Sequence, residues 1–278
     1  MSGGRAALAL LCASVPAGPA CAQAVEATTF RPPLGRPLTY IVAEERDNGA
    51  GPQRYAVTRR VTFIARDGGY SAALETLRIE GDAKTGADHG FEQAAAALKG
   101  RTLTVLLDRD GGIVEVTGDE GVWERMIAAL DGDIAKEAPR MPPARIAAAR
   151  RLVAALGAAP VAQRKLLLAS GLTPLIGSTV SRQGAVAPHA ITQPARQPDG
   201  STATLSGSES QRRGPDGSWQ LERQVAGTTA AGVTIRSAID QRTDGSSGLV
   251  VARTETIDTT IAGHSQRIVR SVRQLPVS

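Results

Sequence analysis

Hydrophobic and polar positions fall into three blocks along the chain: an alternating block, a helical block, and a second alternating block. In the first, Tyr55, Val57, Val61 and Phe63 share one parity against Thr58, Arg60, Thr62 and Arg66. A period of two predicts a strand with one buried and one wet face. Asp67-Gly68-Gly69 supplies a tight turn, and Tyr70 to Glu80 returns as a second long strand. Tyr70, Ala72 and Leu74 take one parity and Leu77 and Ile79 the other, which predicts a bulge or twist near Glu75. Leu38 to Arg46 is an earlier strand, preceded by an extended lead-in over residues 23–37 that carries Pro32, Pro33 and Pro37. Thr102 to Leu107 and Ile113 to Val116 make a hairpin around Asp108-Arg109-Asp110-Gly111-Gly112.

The second alternating block begins near Ser201. Trp219, Leu221 and Val225 oppose Gln220, Glu222 and Gln224, while Val233, Ile235 and Ile239 oppose Thr234, Arg236 and Asp240. Leu249 to Ile261 and Ser265 to Leu275 follow as long strands at hairpin spacing. Residues 177–199 hold only short strand-like pieces, broken by Pro188, Pro194 and Pro198.

Between the blocks, residues 119–176 carry helical spacing. Asp119 is a candidate N-cap, and Val122, Trp123, Met126, Ile127, Leu130 and Ile134 form one apolar stripe. A second helix opens at Pro143 with Ile146, Ala149, Val153 and Leu156 inward, and Arg145, Arg150 and Arg151 toward water. A third starts near Pro160 and carries Leu166, Leu167 and Leu168, with Leu172, Leu175 and Ile176 just beyond. Three short helices cannot enclose a core alone, so the expected fold is α+β. In it, a long-stranded, curved antiparallel sheet, a half-barrel, packs on a central helical insertion within one domain over residues 38–276.

Residues 1–22 change the picture of where the protein works. Arg5, the apolar run Ala6 to Val15 and the small residues Ala20, Cys21 and Ala22 have the three-part layout of a secretory signal peptide, with cleavage expected after Ala22. The run is far short of the roughly 20 residues that span a bilayer. Lipid attachment at Cys21 is the lesser alternative, because Gly18-Pro19-Ala20 lacks the large aliphatic residue of a lipoprotein signal. Cleavage removes both cysteines, Cys12 and Cys21, so the exported chain relies on its core without a disulfide. With arginine far above lysine (four Lys among 32 basic residues), the expected location is the periplasm.

The formal charge is +5, with arginines spread along strands and helices and only 3% aromatic residues. Nucleic-acid binding, which wants a basic patch with interleaved aromatics, is not expected. A general attraction to an anionic envelope surface is. No transmembrane segment is expected in the exported chain.

No catalytic constellation emerges. His89, His189 and His264 stand singly, without metal-ligand spacing, and Gly245-Ser246-Ser247-Gly248 is one residue short of a nucleophile elbow. No lysine has a serine three residues before it. Asp108-x-Asp110-Gly111 lacks the distal glutamate of a calcium loop and reads as a turn. The expectation is a non-enzymatic protein without metal or cofactor. Arg59 and Arg223 lie at apolar parity among Val57 and Val61, and among Leu221 and Val225. Such guanidinium groups either escape to the rim or read a bound anionic head group.

Long antiparallel strands, a helical run in the middle and a cysteine-free exported chain, over Leu38 to Leu275, resemble the periplasmic half-barrel lipid and lipoprotein carriers of the LolA/LppX type. The resemblance rests on element order and carries over no site residue. It implies a hydrophobic pocket between sheet and helices. On the residues here, Tyr40, Tyr55, Phe63, Leu221 and Ile235 from the sheet and Leu167, Leu172 and Ile176 from the helical run are its candidate lining. Arg59 and Arg223 are candidates for an anionic head group. The expected ligand is a lipid or an acylated protein. The alternative is an envelope structural or protein-interaction module with no ligand cavity.

Overall fold

Alternation of apolar and polar positions is realised as β-structure along most of the chain. The computed structural model describes residues 29–47, 49, 51–82, 92, 95–176, 185–196, 202–230, 232–261 and 263–276. The signal segment expected over residues 1–22 lies outside them. Among the described residues, eleven strands form one antiparallel, unclosed sheet. They are β1 (Leu38–Asp47), β2 (Pro52–Arg66), β3 (Gly69–Gly81), β4 (Thr102–Asp108), β5 (Ile113–Thr117), β6 (Val186–Arg196), β7 (Thr202–Arg213), β8 (Trp219–Thr228), β9 (Thr234–Thr243), β10 (Val250–Ile261) and β11 (His264–Gln274). The order is β5-β4-β3-β2-β1-β11-β10-β9-β8-β7-β6. Two meanders therefore meet where the first strand pairs with the last, from Tyr40 opposite Gln274 to Asp47 opposite Arg267.

Among the described residues between the two edge strands lie four α-helices: α1 (Val122–Glu137), α2 (Pro143–Gly157), α3 (Val161–Ala169) and α4 (Thr173–Ile176). Helix α1 opens after Gly121, not at Asp119, with Gly121 in the left-handed region at φ 64°. α3 lies against β5, and α4 reaches β10.

The half-barrel packed on a central helical insertion is not what forms. The sheet is the body of the molecule, and the helices touch only part of it. Geometry explains why: eleven strands at about 4.8 Å spacing make a face about 48 Å wide, whereas a 16-residue helix such as α1 reaches about 24 Å. The stripe expected to be buried on α1 is buried at Val122 and Trp123 but only half-buried at Met126, Ile127, Leu130 and Ile134. On α2, Val153 alone of the expected inward residues is fully buried. Of the leucine triplet on α3, Leu168 is buried while Leu166 and Leu167 are exposed.

The helical run is held by its last turns. Leu168, Ala169, Leu172, Leu175 and Ile176 join Tyr40, Val61, Phe63, Leu74, Leu103 and Val105 in the main core. Residues 29–37, the described part of the lead-in, close one end of this core: Phe30 packs edge-on to Phe63 and Tyr70, at centroid distances of 6.1 and 5.4 Å. A second, smaller cluster gathers Ala203, Leu205, Val225 and Ile235 in the C-terminal meander.

Local chemistry sets the remaining details. The β2–β3 register shifts where Thr58 and Arg59 face Arg78 and Thr76, so the extra residue is Leu77, beyond the predicted position near Glu75. The turn after β4 is built by Asp108, whose Oδ1 accepts from the amides of Asp110 and Gly112 at 2.9 and 2.7 Å. β6 forms despite Pro188 and Pro194 because it is an edge strand, with one side free of ladder bonds. The other edge, β5, is only five residues long, which limits edge-to-edge pairing.

Candidate functional site

Strand register puts a polar row across the core face of the sheet. Tyr55 on β2, Glu44 on β1, Arg270 on β11, Glu255 on β10, Ile239 on β9, Arg223 on β8, Glu209 on β7 and His189 on β6 stand opposite one another in sequence. The neighbouring row starts apolar, with Val57, Val42 and Val272, and turns polar at Arg253 and Gln241. Opposite charges on directly facing strands stabilise each other. Glu44 takes a hydrogen bond from Arg270 Nε at 2.7 Å and a second from Arg46. Arg223 Nε donates to Glu209 Oε2 at 2.6 Å.

Where this row passes beneath the turn between α3 and α4, helix and sheet separate. The space is a cavity of about 650 Å³, partly open to solvent, inside the range of about 300–1,000 Å³ typical of small-molecule sites. Val42, Leu98, Met126, Leu167, Leu168, Pro174 and Val272 give it a largely apolar lining. Glu44, Arg46, Arg59, Arg253, Glu255 and Arg270 supply its charges, four basic against two acidic. Glu44 is engaged by Arg46 and Arg270, and Glu255 by Arg253 at 3.4 Å.

Arg59 is the exception. It is half-buried, and among the described residues no carboxylate stands within ion-pairing distance of it. Its guanidinium lies over Gly171, where an added Cβ would come within 3.1 Å of Cζ and 3.3 Å of a Leu74 methyl. A side chain at this turn would push the guanidinium aside by a few tenths of an ångström. Gly171 is fixed from below, because the buried Tyr40 hydroxyl donates to its carbonyl at 2.7 Å.

The surroundings tune the ionisable groups. Burial holds the Tyr40 phenol protonated well beyond the ordinary phenol range, with the Arg59 charge only partly opposing it. Tyr55 is raised for the same reason, with Arg59 pulling down and the carboxylates of Glu92 and Glu44 pushing up. For Glu44, burial alone would raise the carboxyl. The Arg270 hydrogen bond and the charges of Arg46 and Arg270 overcome it and hold the group below its ordinary value.

The candidate residues separate into three groups. Tyr55, Arg59 and Leu167 line the cavity. Tyr40 lies under it and positions Gly171, while Phe63, Leu172 and Ile176 are spent in the core. Leu221, Ile235 and Arg223 belong to the C-terminal meander. Leu221 is buried, Ile235 sits in the smaller cluster, and Arg223 is neutralised by Glu209.

Sequence reading missed Glu44, Arg46, Arg253, Glu255 and Arg270. The signal was the one that flagged Arg59: Arg270 shares its parity with Ile268 and Val272. Without the β1–β11 register, nothing in the sequence brings it to Glu44. Among the described residues, no three of His, Cys, Asp and Glu are grouped to hold a metal ion, and no single helix is long and apolar enough to cross a membrane. Compared with known proteins, the chain matches no family model and no curated protein.

Proposed function

We propose that this protein is an exported, non-enzymatic binder of a single amphiphile, a lipid or an acyl group carried on another molecule, taken up non-covalently and without a cofactor. The acyl chain lies against Val42, Met126, Leu168, Pro174 and Val272, and the anionic head meets Arg59. The observation that carries this reading is an arginine on the wall of a largely apolar cavity that has no carboxylate partner among the described residues. Each methylene removed from water contributes about 0.8 kcal/mol. A carboxylate or phosphate on Arg59 gains charge-assisted, two-pronged hydrogen bonding, and among the described residues no carboxylate competes for it. The void between helices and sheet supports this reading over a densely packed interaction module.

A fluorescent fatty acid, cis-parinaric acid, tests it. Expected are saturable one-to-one uptake and competition by palmitate. Arg59→Met should weaken palmitate by about tenfold, the scale of one charged hydrogen bond, while leaving its methyl ester nearly unchanged. Absence of uptake, or equal palmitate affinity in wild type and Arg59→Met, overturns the reading.

A further inference from the structure

Charge along this chain is divided unevenly. Between Glu137 and Asp199 there are eight Arg or Lys residues and no Asp or Glu. The rest of the chain holds 24 basic and 27 acidic residues, so the whole positive excess of +5 resides in this tract. The tract contains α2 and α3, both of which are exposed over most of their residues. Helix α2 packs on α1 through the side that holds Val153. Its other side is open, with Arg150 and Arg151 exposed and, among the described residues, free of ion pairs. The same two helices leave apolar side chains in water: Leu152 on α2 is 52% exposed, and Val161 and Leu166 on α3 are 63% and 58% exposed.

We propose that α2 and α3 form a docking surface for an anionic phospholipid bilayer. The exposed guanidinium groups match the headgroup charge, and the bare aliphatic side chains on the same two helices match the acyl boundary. A soluble polyanion would use the first and leave the second unexplained. The two helices are bent by 103° to one another, and neither alone is long and apolar enough to cross a membrane. The surface is continuous with the cavity through Leu167, which is both exposed and part of the lining. The docking residues are otherwise separate from the cavity, so vesicle binding and fatty-acid uptake fail independently.

The test is co-sedimentation of the protein with vesicles of phosphatidylcholine alone or mixed with phosphatidylglycerol. Wild type should partition onto the anionic vesicles only, and less as salt rises. R150E/R151E should lower that partition at least about tenfold, given the energy of a basic residue near an anionic surface. L152S/V161S/L166S should lower it as well. Thermal melts matching wild type show that both variants fold, as expected for exposed positions. Three results overturn the proposal. One is equal partition onto neutral and anionic vesicles. Another is no loss in R150E/R151E. The third is full binding by the triple serine variant with complete competition by heparin, which would make the partner a soluble polyanion.

Discussion

Glu44 shows how much of this molecule is decided by single charges on a sheet face. It is partly buried, which penalises its charge, yet Arg270 and Arg46 both bond to it and keep it ionised below the ordinary range. A carboxyl whose folded-state value is depressed contributes stability that is fully present above its unfolded value, 4.5, and is lost as pH falls through the folded value. Glu44→Gln removes that contribution and leaves the two arginines facing each other. Urea unfolding should therefore show wild type more stable than Glu44→Gln at about pH 6, with the gap closing toward about pH 3. A gap that stays constant between those conditions would mean that Glu44 does not titrate in this range. The same residue-scale logic sets Arg59 apart: it has the exposure of a paired strand arginine but no partner among the described residues.

The helical run is anchored by residues outside its clearest periodic stripe. Leu172 is completely buried among Leu74-side core residues, whereas Leu166, six positions earlier, is 58% exposed. Leu172→Ala should cost about 2–5 kcal/mol in urea unfolding, the range for a buried leucine left as a cavity. Leu166→Ala should stay within about 0.5 kcal/mol of wild type. Comparable losses from both would mean that α3 is held along its length and not at its end. This contrast also shows what the sequence could disclose. Alternation in Tyr55 to Phe63 and in Trp219 to Val225 gave the strands, because a period of two is met by any half-buried strand whatever lies opposite. A helical stripe names a face but not how much of it a neighbour covers, so Met126 to Ile134 looked like core and became a half-wet flank. β6 was illegible because Pro188 and Pro194 argue against a strand unless the strand is known to be an edge. The cavity was legible only through Tyr55, Arg59 and Leu167. Its other charged members depend on β1 pairing with β11, a register set by residues more than two hundred positions apart.

At the scale of the whole molecule, the pairing of first and last strands joins two meanders of unequal strength. Among the described residues the main cluster contains 21 buried residues, drawn largely from β1 to β5 and the helical run, while the second contains four, on β7, β8 and β9. The C-terminal face replaces apolar burial with polar contacts: Gln241 is fully buried and donates to Thr243 Oγ1 at 3.2 Å, and Arg223 holds the buried Glu209. A hydrogen bond contributes about 1 kcal/mol net, less than the roughly 1.5–3 kcal/mol from burying a large aliphatic or aromatic side chain. β6 is also an edge strand, and proline leaves two of its positions without an amide to bond. Local opening should therefore start at β6 and β7 and stop short of β2 to β4. Native-state hydrogen exchange read by mass spectrometry should show the amides of β2, β3 and β4 opening only with global unfolding. Those of β6 and β7 should exchange through a smaller opening that responds weakly to added urea. The β1–β11 seam should behave as the boundary, its protection following the N-terminal meander because Tyr40 and Val272 are both part of the main core. Equal opening free energies in β3 and β7 would mean that the sheet unfolds as one cooperative unit and that the polar row bonds the two meanders more strongly than its hydrogen bonds suggest.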